Sequence, residues 1–199
     1  MRKNNILILG GGQTAAYAAK EIRKIDTSSE LTIISEEESL PYEKPPLSKD
    51  CLLGKMDFNQ CLFFSENFYS ENKINFINNT KIISTDFKNQ KIFSSKNNSY
   101  YYDRLLIATG SSNKHLIIEK KEMFPDENLI YLRNIKESLQ IKNKILLAKN
   151  IVIIGGGFIG LEIASSASQL GKKVIILESG SQLMGRVIPS EIAKFIQNR

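Results

Sequence analysis

A strand, a glycine turn, a helix and a second strand follow one another twice in this sequence, and this repeat constrains the fold most. The first copy spans residues 4–36 and the second spans residues 149–178. Each copy has a short apolar run ending in glycines, an Ala-rich segment with helical spacing, and another apolar run ending in an acid. This order is a βαβ unit. The sequence therefore predicts an α/β protein with two Rossmann-like dinucleotide-binding βαβ units.

The glycine spacing of the second copy fits a bound pyrophosphate. Gly155 permits a tight turn, Gly157 lets the backbone approach the pyrophosphate without a Cβ, and Gly160 lets the helix pack closely on the strand. The helix N-terminus adds free N–H groups and a partial positive charge. Glu178 ends the next strand and can accept hydrogen bonds from ribose hydroxyls. No Arg or Lys follows it directly, which favours NAD(H) over NADP(H).

The first copy has the same spacing with one change. It contains Gly10, Gly12 and Ala15, and Ala is an accepted third residue. Glu36 ends its second strand. Packing alone can select glycines at a strand–helix turn, but the complete βαβ context favours dinucleotide binding. Two copies indicate two dinucleotides, and FAD with NAD(H) makes a hydride relay.

The segment between the copies has a different character. The stretch "SLPYEKPPLSKD", Ser39–Asp50, is too rich in proline for a helix interior or a central strand. The stretch "FFSENFYSENK" predicts a short helix. From Lys73 onward, "INFIN", "KIISTDF" and "KIFSS" predict a β-meander with a hairpin turn at 88–90. A strand then leads into Thr109, and helices are expected at 134–149 and in "PSEIAKFIQNR".

Composition disfavours several classes of function. The chain has 27 basic and 21 acidic residues, and the excess is spread along it without the basic blocks of a nucleic-acid face. His115 is the single histidine, which disfavours a histidine-dependent hydrolase and a metal site. Cys51 and Cys61 fit neither C-x-x-C nor a zinc spacing, so we expect reduced thiols. The apolar start is too short for a signal peptide, and no segment approaches the ~20 apolar residues of a membrane helix. We therefore expect a cytoplasmic protein.

The sequence resembles the FAD-dependent, ferredoxin reductase-type NADH oxidoreductases, the family of putidaredoxin reductase, rubredoxin reductase and apoptosis-inducing factor. The matching stretches stand in family order: "ILILGGGQTAAYAA", "SLPYEKPPLSK", "YDRLLIATGS", "YLRNIKES", "IVIIGGGFIGLEIASSASQLGKKVIILE" and "LMGRVIP". The selective ones are "PYEKPPLSK" and "GGGFIGLEIA" with "MGRV". The resemblance covers the whole chain but only about the N-terminal half of a family member.

The resemblance implies two incomplete domains, an FAD-binding domain at 1–114 and an NAD-binding domain at 115–199. It implies FAD contacts from Gly10, Gly12, Gln13, Thr14, Ala15, Ser35, Glu36, Lys44, Pro45, Ile82, Ala108, Thr109, Gly110 and Arg133. It implies NAD(H) contacts from Gly155, Gly157, Phe158, Ile159, Gly160, Glu178 and Arg186.

The resemblance also implies a catalytic pair. The family's lysine matching Lys49 lies beside flavin N5 and pairs with the glutamate matching Glu162, which we expect in the first turn of its helix. A cation there stabilises negative charge on the reduced flavin, and the carboxylate fixes the ammonium. The alternative is an ordinary surface lysine and a glutamate stabilised by the helix dipole.

By the resemblance, NADH reduces FAD and electrons pass to an acidic iron–sulfur protein of the ferredoxin or rubredoxin type. The cysteines do not match the C-x4-C of disulfide reductases, which disfavours dithiol chemistry. Later family segments have no counterpart here, so we expect exposed apolar faces or a second chain that supplies the missing half. The alternatives are a nucleotide-binding fragment without turnover and a related reductase with another acceptor, such as a nitrite reductase subunit or an NADH oxidase.

Overall fold

The computed structural model describes residues 4–117, 126–185 and 187–198, which fall into two compact units. Unit 1 comprises Met1–Glu43 and Cys61–Ser112, and unit 2 comprises Lys44–Gln60 and Asn113–Arg199. Each unit contains one of the two repeated βαβ copies, which confirms the α/β prediction. The assignment of one cofactor to each predicted domain remains a proposal.

In the described residues, the strands form one sheet of four, one of three and one of two. In chain order they are β1 (Asn5–Leu9), β2 (Glu30–Ile34), β3 (Ile74–Ile77), β4 (Ile82–Asp86), β5 (Lys91–Ser94), β6 (Ser99–Tyr101), β7 (Arg104–Ile107), β8 (Asn150–Ile154) and β9 (Lys173–Leu177). The order β3-β2-β1-β7 is parallel throughout, β4-β5-β6 is antiparallel, and β8 pairs in parallel with β9.

The α-helices in the described residues range from 4 to 13 residues in length. In chain order they are α1 (Gln13–Ile25), α2 (Asp50–Leu53), α3 (Glu66–Glu71), α4 (Ile135–Leu147), α5 (Phe158–Gln169) and α6 (Ser190–Gln197). A capping box at Asn134 and Glu137 starts α4, where the sequence predicts a helix. Within the described ranges, every helix is too short or too polar to cross a bilayer.

The core of unit 1 lies on both faces of the four-stranded sheet. Ile8 and Ile33 pack against Ala15 and Ala19 of α1, whose small side chains let the helix lie close to the strands. On the opposite face, Leu7 and Ile34 pack against Ile92 of β5 in the meander. A parallel sheet covered on both faces needs apolar residues on each side of its strands, and this explains the unbroken run "ILIL".

One strand of the predicted β-meander lies elsewhere. The run "INFIN" forms β3, which pairs in parallel with β2 as the edge of the unit 1 sheet, so its assignment to the meander was wrong. Parallel neighbours require a long crossover between them, and the chain after β2 supplies one that includes α3. The meander itself is β4-β5-β6, with the predicted turn between its first two strands.

Unit 2 has a smaller core around α4 and α5. Leu52 of α2 packs with Ile141, Ile145 and Ala167 beneath the β8–β9 pair. The other side of that pair is open: Val152, Ile154, Ile175 and Leu177 are each more than half exposed. The expectation of exposed apolar faces is therefore confirmed for these two strands.

A buried arginine joins the ends of α1 and α3. Arg23 donates from Nε to the carbonyl of Asn72 at 2.7 Å, and from its two terminal nitrogens to the carbonyls of Asp26 and Lys73 at 2.9 Å each. The guanidinium thus binds carbonyls at the C-terminal ends of two helices, which carry partial negative charge.

We expect Arg23→Met to lower the free energy of unfolding by about 2–3 kcal/mol, because it keeps the aliphatic stem but leaves buried carbonyls without their donor. Urea unfolding measures this. The neighbouring Lys24, in an exposed ion pair with Glu21, provides the control, and Lys24→Ala should cost about 0.5 kcal/mol or less. Equal losses in both variants would contradict the role of Arg23.

Tyr69 buries a hydroxyl that finds no hydrogen-bond partner among the described residues. Burial raises the pKa of this phenol to about 12. The folded state then holds its proton more tightly than the unfolded chain, so this residue makes stability fall as pH rises from about 10 to about 12. We expect Tyr69→Phe to stabilise the protein by about 1 kcal/mol and to reduce that alkaline decline. Chemical unfolding at pH 7 and above pH 10, with the exposed Tyr101→Phe as control, tests both expectations.

Candidate functional site

The glycine turn of unit 1 leaves an open space in front of α1. Gly10 has a φ of +118°, and a Cβ there would lie 2.2 Å from the carbonyl oxygen of Ala108. Gly12 is the N-cap of α1, and a Cβ added to it would meet nothing within 4 Å. The first turn of α1 contains no acid and no side chain caps it. The fold therefore requires Gly10, whereas Gly12 borders free N–H groups suited to an anion.

The glycine turn of unit 2 repeats this arrangement. Gly155 has a φ of +103°, and its N–H donates to the carbonyl of Leu177 at 2.8 Å. A Cβ on Gly160 would lie 2.1 Å from the carbonyl oxygen of Gly155, so Gly160 brings α5 close to the turn. Gly157 caps α5 and faces open space, with no acid in the first turn. The N-terminus of α5 is thus also suited to an anion.

The middle glycine of each turn has a role that the spacing G-x-G-x-x-G does not reveal. A Cβ on Gly11 would lie 2.3 Å from Ser35 Oγ, and one on Gly156 would lie 2.4 Å from a methyl group of Leu183 and 3.3 Å from a carboxylate oxygen of Glu178. The residue after the second strand of each copy, Ser35 or Glu178, therefore lies against the turn, and Leu183 also packs there in unit 2. The run of three consecutive glycines in both copies is the sequence feature from which this close packing of the middle glycine could have been predicted.

The terminal acids of the two copies have different surroundings. Glu36 lies 3.3 Å from Lys81 in an exposed ion pair. The two oxygens of Glu178 accept the N–H groups of Gly180 and Gly156, each at 2.8 Å. These two backbone hydrogen bonds lower the pKa of Glu178, so it is an ionised acceptor beside the second turn.

The predicted pair of Lys49 and Glu162 is present within unit 2. Lys49 Nζ lies 2.9 Å from Glu162 Oε1, and the hydroxyl of Ser48 donates to Glu162 Oε2 at 2.5 Å. Burial acts to raise the pKa of Glu162, but the hydrogen bonds from Ser48 and Lys49 and the lysine charge together lower it below its ordinary value. The carboxylate is therefore ionised and bound on both oxygens.

The expected position of Glu162 in the first helical turn was wrong. Because α5 begins at Phe158, Glu162 is its fifth residue and lies in the second turn. Its side chain reaches back to the loop carrying Lys49, not to the helix terminus. The alternative in which the helix dipole stabilises this glutamate does not describe the structure, since the dipole effect is confined to the first turn.

Two buried serines hold the proline-rich loop of unit 2 against its helices. Ser138 of α4 donates to the carbonyl of Leu47 at 2.8 Å, and Ser166 of α5 donates to the carbonyl of Ser48 at 2.7 Å. Lys44 donates to the carbonyl of Arg133 at 3.1 Å. Sequence reasoning selected Lys44 and Arg133 but missed the serines, because a serine in a helix gives no pattern that identifies its partner.

The other predicted residues lie at the ends of elements. Gln13 and Thr14 form the exposed start of α1, Ala108 donates to the carbonyl of Leu9 at 2.7 Å, and the exposed Thr109 and Gly110 follow β7. The remaining ones in the described ranges lie at element starts. Ile82 begins β4, and Pro45 begins a 3₁₀ turn that ends at Ser48. Phe158 and Ile159 begin α5, and more than half of each side chain is exposed.

Arg186 lies outside the described residues. Both cysteines are buried, and neither forms a disulfide.

Comparison with known proteins agrees with this geometry. Residues 4–199 match the pyridine nucleotide-disulphide oxidoreductase family. The chain belongs to this family. It is 32% identical over 194 residues to a rubredoxin-NAD(+) reductase of Ectopseudomonas oleovorans, a match that covers 98% of this chain and 50% of that protein.

Two solved structures are also similar. The ferredoxin reductase from Rhodopseudomonas palustris has a TM-score of 0.91 at 31% identity, covering 99% of this chain and 48% of that one. Putidaredoxin reductase, in its covalent complex with putidaredoxin, has a TM-score of 0.92 at 25% identity, covering 100% of this chain and 48% of that one. The chain thus spans about half the length of these relatives, and the family to which it belongs consists of FAD- and NAD(H)-dependent oxidoreductases.

The two turns fit the two cofactors of the family. Each presents an uncapped helix N-terminus without an acid in its first turn, beside a glycine whose missing Cβ leaves open space. A pyrophosphate approaches backbone N–H groups at such a turn without steric hindrance.

The glycines of each turn should separate into two classes. Gly10→Ala and Gly160→Ala place a Cβ about 2 Å from a backbone oxygen, and we expect each to lower the free energy of unfolding by more than about 2 kcal/mol. Gly12→Ala and Gly157→Ala should cost about 1 kcal/mol or less, since the site is open and only a cap is weakened. They should instead weaken FAD and NAD(H) binding respectively. Thermal unfolding and cofactor titration measure the two effects, and equal destabilisation in all four variants would contradict the division.

Proposed function

We propose that this chain forms the nucleotide-binding part of an NADH-dependent flavin oxidoreductase that passes electrons to a ferredoxin- or rubredoxin-type protein. The family match and the named relatives support the reaction class. The observation that carries the proposal is the Lys49–Glu162 ion pair of unit 2. In the family that the sequence resembles, the matching pair lies beside the reacting part of the flavin.

The chain's own residues have three tasks in this proposal. The turn at Gly10–Gly12 binds the FAD pyrophosphate, and the turn at Gly155–Gly157 binds that of NAD(H). Lys49 supplies a positive charge, and Glu162 orients the ammonium through its ionised carboxylate. FAD, when bound, accepts a hydride from NADH and releases the electrons singly.

A preorganised cation costs little reorganisation when negative charge develops. Lys49 keeps about half of its side chain exposed, whereas Glu162 is less exposed and bound on both oxygens. The carboxylate therefore acts as the fixed partner, and the lysine retains access to a ligand. This arrangement holds the ammonium of Lys49 at one place and still leaves it able to contact a cofactor.

The type of electron-acceptor protein is proposed mainly from the named relatives, and the net charge of the chain adds a second argument. The formal net charge of +6 suits an acidic iron–sulfur protein, since complementary charge steers association.

A second candidate function also has an observation behind it. The open apolar side of β8 and β9 favours a nucleotide-binding part that turns over only with a complementary chain. A related reductase with another acceptor remains an alternative within the same class.

Anaerobic reduction by NADH tests the proposal. The 199-residue chain is loaded with FAD and mixed with NADH, and bleaching of the flavin absorbance at about 450 nm is followed in a stopped-flow instrument. We expect Lys49→Ala to slow reduction by about 10- to 100-fold, while FAD affinity changes by less than about threefold, because the charge acts on the transition state more than on binding.

Lys55→Ala is the matched control, because Lys55 is an exposed lysine of the same unit. Its reduction rate should equal that of the parent chain. A flavin-loaded parent chain that NADH does not reduce supports the second candidate, a binding part that needs a complementary chain. Reduction at an unchanged rate in Lys49→Ala would refute the catalytic role of the pair.

A further inference from the structure

The hydroxyl of Ser48 occupies the oxygen of Glu162 that Lys49 leaves available. Ser48 is almost fully buried, and its Oγ lies 2.5 Å from Glu162 Oε2, while Lys49 Nζ lies 2.9 Å from Oε1. A carboxylate bound on one oxygen can still rotate about its last bond. Binding on both oxygens from two adjacent residues fixes that rotation, and with it the direction in which Glu162 holds the ammonium.

The direction of the hydrogen bond follows from the groups present. A hydroxyl carries one proton, and an ionised carboxylate can only accept. The carbonyl of Pro45 is a second possible acceptor, but it lies 3.3 Å from Ser48 Oγ, against 2.5 Å for Glu162. The shorter contact is also to the charged acceptor, so the proton of Ser48 points to Glu162.

The backbone that carries Ser48 is itself fixed from two sides. The Leu47 carbonyl accepts from Ser138 of α4, and the Ser48 carbonyl accepts from Ser166 of α5. Both donors are buried, so water does not compete for these bonds. Ser166 and Glu162 are four residues apart on α5 and lie on one face of it. One helix face thus contacts Ser48 through both its backbone and its side chain.

We propose that Ser48 is a positioning residue for the reduction of FAD by NADH, which acts by holding Glu162 in the orientation that places the Lys49 ammonium. The catalytic part of this inference rests on the proposed function. Lys49 has a long side chain with many rotamers, and a lysine held by a fixed carboxylate loses this freedom before the reaction instead of during it. The Ser48 hydroxyl reaches the reacting groups only through Glu162.

A titration of the chain without cofactor tests the positioning directly. The side-chain carboxyl carbon of Glu162 is followed by NMR against pH in ¹³C-labelled protein and assigned with Glu162→Gln. In Ser48→Ala we expect the midpoint of this titration to rise, because the ionised form loses a donor. Ser48→Cys, which preserves volume but donates weakly, should shift it in the same direction, and Ser48→Thr should restore the parent value.

Ser166→Ala is the matched control, because it removes a hydroxyl that binds the backbone of Ser48 and leaves Glu162 untouched. It should lower the melting temperature while moving the midpoint of Glu162 much less than Ser48→Ala does. An unchanged midpoint in both Ser48→Ala and Ser48→Cys would overturn the inference. So would an equal shift in Ser166→Ala, since the effect would then come from the loop backbone.

Flavin reduction separates this inference from the proposed function. In FAD-loaded chains where Lys49→Ala slows reduction by NADH, we expect Ser48→Ala to slow it by about tenfold and Ser48→Thr to recover most of the rate. Normal reduction in Ser48→Ala, with Lys49→Ala still slow, would overturn the catalytic part of the inference and leave the proposed function intact. Normal reduction in Lys49→Ala would refute the catalytic role of the Lys49–Glu162 pair, and an FAD-loaded parent chain that NADH does not reduce would count against the proposed function. In both cases the NMR titration would still decide whether Ser48 positions Glu162.

Discussion

Close approach of two backbone segments at each glycine turn is the constraint on which this structure depends. In unit 1, the turn after β1 passes the carbonyl of Ala108, and in unit 2, α5 passes the carbonyl of Gly155. Neither approach leaves room for a Cβ. These contacts fix where each helix begins, and the helix start determines where its free N–H groups point. The anion-binding character of both turns follows from packing inside each unit.

The proline-rich loop acquires its geometry from a different source. Its residues Pro45–Ser48 form a 3₁₀ turn too short to be stable alone, and buried hydroxyls of α4 and α5 bind its carbonyls. Proline restricts the backbone, and each serine satisfies a carbonyl that would otherwise be buried without a donor. Lys49 therefore follows a segment held by hydrogen bonds at consecutive residues. This support explains how a lysine outside any regular element can form a defined pair with Glu162.

Local patterns predicted the elements of the fold well and their partners less well. The two βαβ copies, the short helix at α3 and the helix at α4 follow from periodicity, which depends on neighbours in the sequence. The pairing of β3 does not, because a short apolar run carries no mark of whether its neighbour is parallel or antiparallel. The turn of α5 that holds Glu162 was also misplaced, since the helix begins at Phe158. The spacing of glycines cannot show that Gly11 and Gly156 accommodate Ser35 and Leu183.

The sequence by itself determined the α/β class and the two glycine turns, and through the family resemblance it predicted that Lys49 pairs with Glu162. Each of these depends on residue types at short spacings or on stretches that match a known family. The tertiary structure alone decided that Ser48 donates to Glu162 and that Ser138 and Ser166 hold the loop. A hydroxyl donates to whatever acceptor the fold brings within about 3 Å, and residues more than ninety positions apart reach that distance only after the helices have packed.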